Sequence, residues 1–318
     1  MFKVTLIDHE WEDLELETSM FAEANIDFQV LQSKEKSKII EAAQQSDGLL
    51  VMYGNIDKDV FDAAPNVKIV SRYGIGVNMI DVDYATEVGV QVANVNDYCV
   101  EEVSDHALAC ILAGSRRLFE YNEHTKNGGW DFKAVKRPLR AKKAIVGLLG
   151  YGKIPKRLAE KLITIGYQVV AYDPFVNAEE MLIDNVRKAT LKEIMENSDF
   201  VSVHVPLNNE TRHLLNSELF KVTKKKPYII NTARGPIIDE QAMIEALNNQ
   251  LLAGAFLDVT EDEPLPENHV LRSMKNVVLS PHAAWYSEDA YYEIREKAVI
   301  NIIEYSKGQV PTYALNLK

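Results

Sequence analysis

Residues 143–174 read KAIVGLLGYGKIPKRLAEKLITIGYQVVAYDP, and this stretch decides the fold. A β-rich apolar run meets Gly150-Tyr151-Gly152, where residues without a Cβ let the chain turn sharply and lie close to a ligand. Leu158, Leu162 and Ile165 then recur at helical spacing until Gly166 ends the helix, and a second apolar run over 168–172 finishes at Asp173. Strand, turn, helix and strand make a βαβ unit. The unpaired N–H groups at such a helix start face a pyrophosphate, while an acid at the end of the second strand accepts hydrogen bonds from a ribose diol. The stretch therefore predicts a dinucleotide-binding unit in which Asp173 takes the adenosine ribose and repels a 2′-phosphate, favouring NAD over NADP. Pro155 stands where a third glycine is expected. The first helical turn tolerates its missing N–H, and the expected consequence is looser packing of helix on strand.

The rest of the composition sets limits around this unit. With 318 residues, 47% apolar and 26% charged, the chain has the length of about two globular domains. No apolar run approaches the roughly 20 residues of a membrane span, and Met1-Phe2-Lys3-Val4 leads straight into a strand, so a cytoplasmic protein with no membrane partner is expected. Cys99 and Cys110 lack metal-ligand spacing and read as reduced packing residues; no metal is expected. A net charge of −12 argues against direct nucleic-acid binding, and the run Lys224-Lys225-Lys226 reads as a solvated turn.

Outward from the opening stretch, β-type runs at 4–7, 28–31, 48–52, 68–71 and 90–93 alternate with helical segments and predict a first parallel, flavodoxin-like α/β layer. Its fourth run leads into Tyr73-Gly74-Ile75-Gly76, whose free N–H groups at a strand's carboxyl end suit a small anion. A long helix is expected over about 100–118, followed by a polar, irregular arm over 119–142 that could pack on a partner subunit. Beyond Asp173, runs at 200–205, 228–230, 254–257 and 277–279 end respectively at Pro206, at Asn231-Thr232-Ala233-Arg234-Gly235, at Asp258 and at Ser280-Pro281-His282. Ligands of open parallel sheets bind outside the carboxyl ends of strands, so four polar ends point to one site. The fold class expected is α/β, with two doubly wound parallel-sheet domains. A flavodoxin-like substrate domain comprises residues 1–97 plus 286–318, and a Rossmann NAD-binding domain, 98–285, is inserted into it.

Taken together, GLLGYGKI with YDP, HVPLNNETRHLLN, NTARGPIIDE, LDVTEDEP and SPHAAW, in this order, resemble the D-isomer-specific 2-hydroxyacid dehydrogenase family over nearly the whole chain. SRYGIGVNMIDVDYA and NVNDYCVEEVSDHALA look most like the branch that holds the C-terminal-binding-protein corepressors and their bacterial dehydrogenase relatives. Asn78 departs from the aspartate that many relatives carry. The resemblance implies a catalytic set of Arg234, Glu263 and His282, with His282 as acid/base and Glu263, 19 residues upstream, as its carboxylate partner. It implies cofactor contacts at Gly150, Gly152, Lys153, Ile154, Asp173, Val205, Pro206, Thr211, Thr232, Ala233, Arg234, Asp258, His282 and Ala284, with Asp258 orienting the nicotinamide carboxamide. It implies substrate contacts at Tyr53, Gly54, Ile75, Gly76, Arg234, His282 and Trp285, the backbone of Ile75 and Gly76 holding a carboxylate.

The chemistry agrees with those roles. A 2-oxo acid accepting a hydride needs its carboxylate held, its carbonyl polarised and its developing alkoxide protonated. The planar, permanently charged fork of Arg234 suits the first two tasks, and an imidazolium paired with Glu263 suits the third. The leading expectation is an NAD-dependent oxidoreductase interconverting a D-2-hydroxy acid and its 2-oxo acid, as a homodimer. Two alternatives stay open: an NAD(H)-sensing corepressor-like binding protein, and hydride transfer on another small anion.

Overall fold

The structure, a computed structural model, describes residues 1–316. Leu317 and Lys318, which the expected first domain includes, lie outside the described residues. The chain divides into two compact units, Met1–Cys99 with Ser287–Lys318, and Val100–Tyr286.

In the first unit, β1 (Lys3–Leu6), β2 (Asp27–Val30), β3 (Gly48–Val51), β4 (Ile69–Arg72) and β5 (Gln91–Ala93) form a wholly parallel sheet of order β2-β1-β3-β4-β5. That is the flavodoxin-like order, in which each parallel pair needs a crossover. β3 is buried along its whole length, as a continuous apolar run in a covered parallel sheet should be, and β4 is buried too, Ser71 and Arg72 included. The helix Glu288–Ser306, capped by the Ser287 hydroxyl on the Ala290 N–H, packs on β4, and the chain then pairs Ala314 with Ala93 at the β5 edge. An ion pair buried with it joins the N- and C-terminal ends of this unit: Arg295 donates to both oxygens of Glu17, at 2.8 and 2.6 Å.

In the second unit, β6 (Ile145–Leu149), β7 (Gln168–Tyr172), β8 (Arg187–Lys188), β9 (Phe200–Val203), β10 (Tyr228–Asn231), β11 (Gly254–Leu257) and β12 (Val277–Leu279) are also all parallel, in the order β12-β11-β10-β9-β6-β7-β8. This is the Rossmann order, with the strand sequence reversing at β6 and β9. One apolar cluster covers each face: Ile194, Leu215 and Met243 on one side, Ile111, Leu158 and Leu162 on the other. The opening stretch forms β6, the helix Lys153–Ile165 and β7 as read, and Pro155 is buried within the first turn of that helix.

The arm expected to be irregular over 119–142 contains instead the helix Leu118–Lys126. The helix Val100–Arg116 stops because Arg117 takes a left-handed conformation, φ +58°, and its buried guanidinium turns to Glu120 and to the Tyr228 hydroxyl. No residue of Leu118–Lys126 is buried, so it shows no apolar stripe from which a helix could be read. Among the described residues, no helix is long and apolar enough to cross a membrane.

Candidate functional site

The glycine turn after β6 is built for close approach. Gly150 has φ +97°, and a Cβ there would lie 3.1 Å from the His204 backbone, so only glycine fits without strain. Gly152 caps the helix, and a Cβ on it would meet nothing within 4 Å. Asp173, at the end of β7, is already oriented: its carboxylate accepts the N–H of Tyr151 at 2.9 Å and of Phe175 at 2.8 Å. Lys153 and Ile154 open the helix beside it.

Farther along the same sheet edge, the loop after β9 is held by Thr211, whose hydroxyl donates to the Pro206 carbonyl at 2.6 Å and accepts from the Asn208 N–H at 2.8 Å, next to buried Val205. The turn after β10 is held by Asn231, which is 1% exposed. Its side chain accepts from the Ala233 N–H at 3.0 Å and donates to the Arg234 carbonyl at 2.9 Å. Sequence reasoning saw Asn231 only as the end of a strand, though an asparagine there is a common brace of its own turn. Arg234 follows in extended conformation, with Nη1 donating to the Ala233 carbonyl at 2.6 Å. The next residue must be glycine, since a Cβ on Gly235 would strike the Thr260 carbonyl at 1.9 Å. This close passage lays the Arg234 turn on the loop that carries Glu263.

Beyond β11 and β12 the structure brings Glu263 and His282 together, Nδ1 to Oε2 at 2.6 Å, with both side chains about a third open. Glu263 is oriented in turn by the Thr260 N–H at 3.3 Å. His282 itself has φ +55°, a strained backbone for a non-glycine residue. Asp258, 3% exposed, holds the turn behind it: Ala283 donates to Oδ1 and Ala284 to Oδ2, each at 2.9 Å. Trp285 is half-buried, its ring edge-on to Tyr286 at 5.4 Å between centroids.

In the first unit, Asp8 at the end of β1 accepts the N–H groups of Met52, Tyr53 and Gly54, fixing the Tyr53-Gly54 turn. Asn94 donates to the Ile75 carbonyl at 2.7 Å, bracing the loop through Gly76. Sequence reading missed both braces. Asp8 carried the signal applied to the other sheet, a polar residue at a strand's carboxyl end.

Two observations test whether a dinucleotide fits the second unit. Thr232 Oγ1 is buried without a hydrogen-bond partner among the described residues, and the space beside Gly152 is open. An orphaned hydroxyl and an open approach to the helix at Gly152, on one sheet edge, suit a polar ligand lying across the strand ends. Among the described residues no cluster of three or more His, Cys, Asp or Glu could hold a metal ion.

Comparisons with known proteins agree with this geometry. The sequence model described as D-isomer specific 2-hydroxyacid dehydrogenase, NAD binding domain, matches residues 108–284. The chain is 36% identical to a glyoxylate reductase of Thermofilum pendens, over 88% of this chain and 84% of that one, and 33% identical to a glyoxylate reductase of Korarchaeum cryptofilum, over 88% and 86%. A crystal structure of D-lactate dehydrogenase from Aquifex aeolicus complexed with NAD and lactic acid superposes with a TM-score of 0.88, covering 99% of both chains at 26% identity. The chain belongs to the D-isomer specific 2-hydroxyacid dehydrogenase family of oxidoreductases, and its second unit carries the family's NAD-binding domain.

Proposed function

We propose that this protein reduces a small 2-oxo acid to its D-2-hydroxy acid with NADH, and catalyses the reverse reaction with NAD. The observation that carries the reading is the 2.6 Å contact of His282 with Glu263, on the sheet edge that also bears Arg234. Nδ1 of the imidazole faces the carboxylate, which leaves Nε2 for the substrate oxygen. NADH supplies the hydride, and the chain's own residues manage charge and protons. Arg234 anchors the substrate carboxylate and polarises the carbonyl with its planar fork of donors. Protonated His282 gives its proton to the carbonyl oxygen as negative charge develops there, while Glu263 stabilises the imidazolium through a charge-assisted hydrogen bond. In oxidation the neutral imidazole takes the hydroxyl proton back. The proposed substrate contacts are Tyr53, Gly54, Trp285 and the backbone of Ile75 and Gly76.

Asp173 sets the cofactor preference, since its fixed carboxylate would receive the ribose diol and repel a 2′-phosphate. The names of the relatives put glyoxylate and pyruvate first among substrates to test. The test is a panel of 2-oxo acids assayed with NADH and with NADPH. Turnover of a small 2-oxo acid with a strong preference for NADH is expected. Absence of turnover with every 2-oxo acid would overturn the reading, and equal efficiency with NADPH would remove the role given to Asp173.

A further inference from the structure

Behind the His282 turn, Asp258 is joined to two polar residues that the hydride-transfer reading leaves unused. The helix Val100–Arg116 carries His106 and, one turn on, Cys110, and both face the carboxyl ends of β11 and β12. His106 Nε2 lies 3.3 Å from Ser280 Oγ, which lies 2.5 Å from Asp258 Oδ1. Proton counting fixes the direction of this chain. An ionised carboxylate only accepts, so the single hydroxyl proton of Ser280 points to Asp258. The serine oxygen then offers only lone pairs to the histidine, and Nε2 must carry a proton. The order is His106 Nε2–H to Ser280 Oγ–H to Asp258.

What the chain steadies is the backbone of the acid/base residue. Asp258 gathers three successive N–H groups: that of His282 on its carbonyl at 2.8 Å, and those of Ala283 and Ala284 on its carboxylate. A left-handed histidine persists only where its surroundings over-determine it, and these three bonds do so at φ +55°. If the carboxylate turned, the amides of 283 and 284 would lose their acceptor and the imidazole would move. Burial and then the negative charge of Asp258 push the Cys110 thiol up to about 12, so a neutral thiol, and no second negative charge, lies near that carboxylate.

We propose that His106 and Ser280 are positioning residues for the proton transfer made by His282, acting through Asp258 and the three backbone bonds it accepts; this rests on the function proposed above. Neither touches the reacting atoms. The side chain one helix away thus enters the reaction as geometry.

Ser280→Ala, His106→Leu and His106→Gln separate the possibilities, since glutamine keeps an N–H donor at similar reach and leucine does not. Three measurements apply. In the protein without cofactor, hydrogen exchange of a peptide spanning residues 281–286 should quicken by about tenfold in Ser280→Ala and His106→Leu and stay slow in His106→Gln. In turnover with NADH, kcat should fall by about tenfold in the first two variants while KM for NADH changes little, with glutamine restoring most of the rate. Nitrogen NMR of labelled histidine should find His106 protonated at Nε2. A neutral His106 protonated at Nδ1 would reverse the chain and overturn the proposal, as would unchanged exchange and kcat in Ser280→Ala. Wild-type protein inert to every 2-oxo acid would sink the functional reading instead, and the exchange and NMR measurements would then decide the positioning role by themselves.

Discussion

His282 is the residue whose loss should be most informative. His282→Ala removes the proposed proton donor, so turnover should fall by roughly 10²–10⁴ while NADH binding, followed by fluorescence, barely changes. Arg234→Lys keeps a positive charge but loses the planar fork, and should raise KM for the 2-oxo acid and lower kcat together. A second histidine makes a different prediction. Burial holds the His204 imidazole down to about 3, with Nε2 bonded to the Ser202 hydroxyl at 2.8 Å. Its folded-state value lies below the unfolded 6.5, so the unfolded chain binds the extra proton, and stability falls as pH drops from about 6.5 towards 3. Melting temperature against pH should therefore decline more steeply in wild type than in His204→Gln across that window, and parallel curves would contradict it. At this scale the sequence exposed the candidate reactive groups and concealed their braces. Arg234 and His282 stand in polar runs after strands, and with Glu263 they take their roles from the family resemblance, whereas Asn231, Asp258 and Asp8 work by accepting backbone N–H groups that only the folded chain brings to them. The resemblance makes Asp258 a contact to the nicotinamide as well; Ser280, Ala283 and Ala284 occupy three of the about four lone-pair sites of its carboxylate and leave one for that contact.

Among the elements, β6, the helix Lys153–Ile165 and β7 were legible because each signal has a local cause: an apolar run, a glycine turn, helical spacing and a stopping glycine. Gly150→Ala tests the tightest point of that element. It places a Cβ at φ +97° and 3.1 Å from the His204 backbone, so it should cost about 1–2 kcal/mol of stability and weaken NADH binding by displacing the helix N-terminus. Thermal unfolding and an NADH titration measure the two effects, and an alanine variant with wild-type values for both would contradict the close-approach argument. Two elements were not legible. β8 is two residues long, Arg187–Lys188, and its partner in the sheet is chosen by topology rather than composition. The helix Leu118–Lys126 has no buried side to leave a pattern, and the preceding break depends on Arg117 turning its side chain to Tyr228 and Glu120, more than a local sequence window can show.

For the whole molecule, those same residues carry the final prediction. Trp130 is 89% exposed and Phe132 76%, and the same segment carries the half-exposed Leu118 and Phe119 on a helix in which no residue is buried. Large apolar side chains presented together in one short segment cost free energy in water unless something covers them. A second copy of the chain is the expected cover, because a twofold axis sets the same segment of each copy against the same surface of the other. Light scattering at micromolar concentration should then give twice the 35.9 kDa chain mass. Trp130→Ser combined with Phe132→Ser should shift the distribution towards monomer and leave the far-ultraviolet circular dichroism unchanged, since neither side chain is buried within its own chain. A wild-type protein that scatters as a monomer would show that these aromatic residues face solvent in the working molecule, and the reading of the segment as a subunit arm would fall with it.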